Sequence, residues 1–188
     1  MEAPATLVRV DLLEVHLEEI GNLWLRRGAS LRSPDATLKT LSEIDGRMAA
    51  HLEGLAVGGP AGLALAGAAL ESDDSTTTFA GAYALLRLGG DVDKRRVLEA
   101  FLATDVGPRA GLCAALCDSP IDDLVRPLSD ALGAAPSPLG AEIAEVLATH
   151  GALDPGSLEL TGLMKDGNPL VRARAWRVVA IVDGKATG

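Results

Sequence analysis

Aromatic residues are nearly missing from this chain, with two Trp, two Phe and one Tyr among 188 residues. Runs of β-branched and aromatic residues, the usual mark of a strand, are correspondingly scarce. No apolar run reaches the ~18 residues of a membrane helix, and the stretch from Gly62 to Leu70 is too short. The opening MEAPATLVRV lacks a basic segment followed by an apolar core and a small-residue cleavage site, so no signal peptide is expected. The only cysteines, Cys113 and Cys117, lie four apart. They make no disulfide framework, and a cytoplasmic location is expected. There is no G-x-S-x-G, no phosphate loop and no Ser-His-Asp set. Neither catalysis nor a cofactor is therefore expected.

What is present is helix-forming. Hydrophobic residues reach 48%, and with so few aromatics that mass is Ala and Leu. The chain reads as all-α, and its length buries roughly 70% of the unfolded surface in one domain. The net charge is −9. Basic and acidic residues number six and nine in 1–59, five and eight in 60–118, one and five in 119–152, and five and four in 153–188. An acidic body does not attract phosphate backbones, so nucleic acid is not expected as the direct ligand.

Ten prolines punctuate the chain. Seven follow a residue suited to cap a helix: Ser33, Gly59, Gly107, Ser119, Ser137, Asp154 and Asn168. In the segment DGNPL, Asp166 ends one helix, Gly167 turns, Asn168 caps and Pro169 starts the next. The same reading predicts helices near 7–27, 35–56, 60–71, 75–88, 92–104, 108–117, 120–132, 138–150, 155–165 and 169–182. Pro127 should kink the seventh. Leu12, Val15, Glu19 and Trp24 keep roughly helical spacing in the first helix. Leu38, Leu41, Ile44, Met48, Leu52 and Leu55 do so in the second. Asp73-Asp74 and Asp122-Asp123 fall near helix starts, where they suit the helix dipole.

Helices expected to start near 75, 108, 138 and 169 repeat about every thirty residues, which signals a solenoid. The predicted architecture is a right-handed α-solenoid of about five hairpins. An atypical long helix pair over 1–59 caps it, and HEAT-like repeats stack as one continuous domain over 60–188. The segment LTGLMKDGNPLVRARAWRVVA, 160–180, resembles a HEAT repeat, and the resemblance implies that Asp166 and Arg172 support one another. VHLEEIGNLWLRR (15–27) and LSEIDGRMAAHLEGLAVGG (41–59) resemble the N-terminal part of a family of uncharacterised bacterial HEAT-repeat proteins. Members of that family are often encoded beside type VI secretion components.

Few groups invite chemistry. His16 and Glu19 share a helix face, and His51 follows on the second helix. His-Leu-Glu occurs at 16–18 and again at 51–53, but residues two apart point to nearly opposite faces, so structural hydrogen bonding is the simpler reading. Cys113 and Cys117 read as packing and His150 as a helix C-terminal cation. Lys94, Arg95 and Arg96 form one basic run. Arg172, Arg174 and Arg177 form another, in which a solvated face is the plain reading. Trp24 reads as core. Trp176 in the last repeat would be exposed if nothing caps it, and could then bind a partner.

The predicted function is non-catalytic protein binding, through a face lined by the second helices of the pairs. The binding candidates are Trp176, Arg172, Arg174, Arg177, Lys94, Arg95 and Arg96. The resemblance implies a secretion-associated adaptor or an immunity-type partner of a toxin. Two other readings stay open: a metal-dependent enzyme at His16, Glu19 and His51, and a HEAT-like nucleic-acid-binding protein using the basic clusters.

Overall fold

The computed structural model describes residues 9–103 and 106–186, and among them there are helices and no strand. Ten α-helices follow in order. They are α1 (Val10–Leu31), α2 (Leu38–Val57), α3 (Pro60–Ala69), α4 (Ser75–Leu88) and α5 (Asp91–Ala103). After these come α6 (Val106–Cys117), α7 (Val125–Leu132), α8 (Ser137–Thr149), α9 (Leu158–Met164) and α10 (Pro169–Ala186). The start predicted at 7 and the end predicted at 104 lie outside the described residues. The chain forms two compact units, 1–115 and 116–188, whose border falls inside α6.

At two helix starts that differ from expectation, a side chain has been used elsewhere. The Ser33 hydroxyl accepts from the Asp35 N–H at 3.3 Å, so it closes a turn. Thr37 caps α2 instead, accepting from Thr40 N–H at 3.1 Å. Asp154 likewise accepts from Gly156 N–H at 2.9 Å, and Ser157 caps α9. Asp and Ser side chains compete for their own backbone in this way, and the residue before a proline prefers extended backbone. Pro127 kinks nothing. Residues 122–124 form a separate 3-10 turn, and Pro127 lies in the first turn of α7, where a missing N–H costs no bond. Gly59 precedes α3 with φ 54°, a left-handed backbone that Gly tolerates, and α2 meets α3 at 119°.

In the first unit α4 is buried from Thr78 through Leu86. A helix enclosed on all sides must be apolar on all sides, and Ala80, Gly81, Ala82 and Ala84 keep it slim enough to wrap. It packs against α1, α3 and α5, and α1 also packs against α2. The buried face of α1 is Leu13, Leu17, Ile20 and Leu23. The predicted stripe is thus rotated, since Leu12 and Val15 are half exposed. Trp24 stacks on Phe79 with centroids 4.6 Å apart, Phe79 on Tyr83 at 5.4 Å, and the Arg87 guanidinium lies 4.6 Å over Tyr83. The α4 members recur every four residues and so share a face. Thr78, fully buried, donates to the Pro108 carbonyl at 2.9 Å.

In the second unit α8 is the enclosed helix, buried over Leu139–Ala144 and Val146–Ala148. It packs against α7, α9 and α10. His150, where α8 ends, donates Nε2–H to the Leu116 carbonyl at 2.9 Å, so its ring is a tether in addition to sitting at the dipole terminus.

Candidate interaction surface

The turn before α10 is held by its own polar groups. Asn168 accepts from the Leu170 N–H at 2.9 Å, and Asp166 accepts from the Asn168 N–H at 2.7 Å. Hydrogen bonds from the Ser137 hydroxyl and then the Asn168 N–H hold the Asp166 carboxyl below its usual range. Ser137 is therefore taken up by Asp166 and does not cap α8. Arg172 donates to the carbonyls of Asp166 at 2.7 Å and Gly167 at 3.0 Å. Its hydrogen bonds go to the backbone of its own turn.

The other α10 arginines are also engaged. Arg174 lies 2.7 Å from Glu142 and 3.3 Å from Glu145, and Arg177 is 2.9 Å from Glu145. The 2.7 Å approach is out of line for a hydrogen bond, so that contact is coulombic. Two acids three apart on α8 thus meet two arginines three apart on α10. Arginines 174 and 177 are committed inside the unit, and the solvated-face reading does not hold for Arg174, only 26% exposed. The spacing carried a missed signal: Glu142 and Glu145 precede Arg174 and Arg177 by 32 residues, about one repeat.

Trp176 is different. It is 56% exposed, with Ala173 and Ala180 exposed at adjoining helical positions. The basic run on α5 is only partly free. Arg95 bonds the Asp91 carbonyl at 3.2 Å, Arg95 and Arg96 are exposed, and Lys94 is half-buried.

His16 and Glu19 do not form the pair that their spacing suggested. The His16 Nδ1 lies 3.0 Å from the Nδ1 of His51, while Glu19 faces Arg47 at 3.7 Å. Burial first, and then the His16 ring, push the His51 pKa below its ordinary value. Among the described residues no three His, Cys, Asp or Glu side chains group so as to hold a metal ion. Cys113 is buried and Cys117 half-buried, and neither is in a disulfide. No single helix among the described residues is long and apolar enough to cross a membrane. No family model, curated protein or solved structure matches the chain.

Proposed function

We propose that this chain is a non-catalytic protein-binding scaffold, and that Trp176 anchors its partner. The observation that carries the reading is the exposure of Trp176 on a helix whose arginines are already paired internally. Trp is among the side chains most enriched at binding hot spots, and an exposed Trp beside Ala173 and Ala180 offers an apolar contact. The negative charge of −9 and the engagement of Arg172, Arg174 and Arg177 argue against a phosphate-backbone ligand.

The architecture we propose is a right-handed α-solenoid of HEAT-like pairs with 1–59 as its cap. Support comes from consecutive helices that pair, α1 with α2, α3 with α4, α7 with α8 and α9 with α10. Second helices of successive pairs also touch, as α2 with α4 and α8 with α10. Together with the resemblance to HEAT-repeat proteins, this favours a cytoplasmic bacterial adaptor of a secretion system or an immunity-type partner. The test is a tagged pull-down from the native organism, with wild type and Trp176→Ala in parallel, read by mass spectrometry. The expected result is one protein encoded nearby, enriched by wild type and lost with the variant. Recovery of the bait alone, or equal recovery by both, overturns the proposal.

A further inference from the structure

His16 on α1 and His51 on α2 meet edge to face, with Nδ1 atoms 3.0 Å apart and the rings inclined at 62°. A hydrogen bond between two imidazole nitrogens needs one N–H and one lone pair. Two neutral rings supply that, one donating Nδ1–H to the bare Nδ1 of the other. One imidazolium and one neutral ring supply it equally well. Two imidazolium rings cannot: N–H then faces N–H, and two cations share the contact.

We propose that this pair is an acid-operated latch, clasping α1 to α2 while it holds at most one added proton and releasing them when the second binds.

The seat of His16 explains why the rings do not simply turn aside. The ring lies against the bare backbone of Gly54, where a Cβ would come 2.5 Å from its Cε1 and Nε2. A ring so placed keeps Nδ1 aimed at His51. The charged neighbours are few. Glu19 on α1 favours the protonated form of His51 and Arg47 on α2 opposes it, and these two lie 3.7 Å apart. Of the other helices packed on α1 and α2, α3 carries no ionisable side chain. The single charged residue within α4, Arg87, lies over the Tyr83 ring.

The pH direction follows from these surroundings. Burial and the His16 charge depress the folded His51 pKa, so the unfolded chain holds more protons in the window between the two values. The latch therefore contributes fully above the unfolded value of about 6.5 and is lost as pH falls through the lowered folded value. Carboxylates titrate near 4, which leaves about 6.5 to 5 to the histidines.

The experiment is an NMR titration of the imidazole nitrogens in the full chain, with amide exchange followed at pH 7 and pH 5. The expected result is a His51 step displaced below the ordinary imidazole range. Exchange in 10–31 and 38–57, corrected for intrinsic rate, should rise about tenfold across that lower step while α8 stays protected. His51→Gln keeps a hydrogen-bonding partner for His16 without a second charge, and should abolish the exchange change. A single shared step near 6.5 in the wild type overturns the latch, whether or not the variant folds. So does acid opening of His51→Gln to the wild-type extent.

Discussion

Glu145 serves two arginines at once and is only 13% exposed, while one of them, Arg177, is 61% exposed. The two ends of this contact are therefore unequal. Glu145→Gln removes the charge that Arg174 and Arg177 share, and should cost about 1–3 kcal/mol. Arg177→Ala should cost less than about 1 kcal/mol, because water already shields that end. Urea unfolding of the two variants checks the ranking. Asp74 poses a different single-residue question. It caps α4, accepting from Thr77 N–H at 2.7 Å, and hydrogen bonds from Thr77 hold its pKa below the usual value. A depressed carboxyl contributes above about pH 4 and loses that contribution as pH falls through the folded value. Asp74→Ala should thus cost about 1 kcal/mol at pH 7, and the gap to wild type should shrink at pH 3 in the same urea titration.

At the scale of the helix, α4 is the element on which the first unit depends. Phe79 is fully buried between Trp24 and Tyr83. Phe79→Ala should cost about 3–5 kcal/mol and loosen α1, measurable as a lowered unfolding midpoint and lost exchange protection over 10–31. Most helix positions were legible in the sequence, because Pro, Gly and capping residues act within a few positions of themselves. The errors came where a polar side chain had two local options, as Ser33 and Asp154 did. The face of α1 was misread for another reason. Leu12 and Leu13 are adjacent, and only the partner helices decide which turns inward. The candidate site was legible as a set of residues but not as a set of contacts. His16 could be paired with Glu19 on its own helix by counting. Its partner His51 lies thirty-five residues away, and no local rule links them. The Glu142/Glu145 and Arg174/Arg177 match was within reach of counting, since both pairs share one spacing and sit about one repeat apart.

For the whole molecule, the placement of the two tryptophans matters beyond binding. Trp24 lies in the first compact unit, stacked face to face on Phe79. Trp176 lies in the second and is half open to water. Each unit thus carries one tryptophan, and under excitation selective for Trp their emissions differ with their environments. Trp176→Phe leaves an emission that reports the first unit alone, and Trp24→Phe one that reports the second. Where denaturation of a multi-unit chain follows more than one transition, these two spectra assign each transition to its half of the chain without any added label.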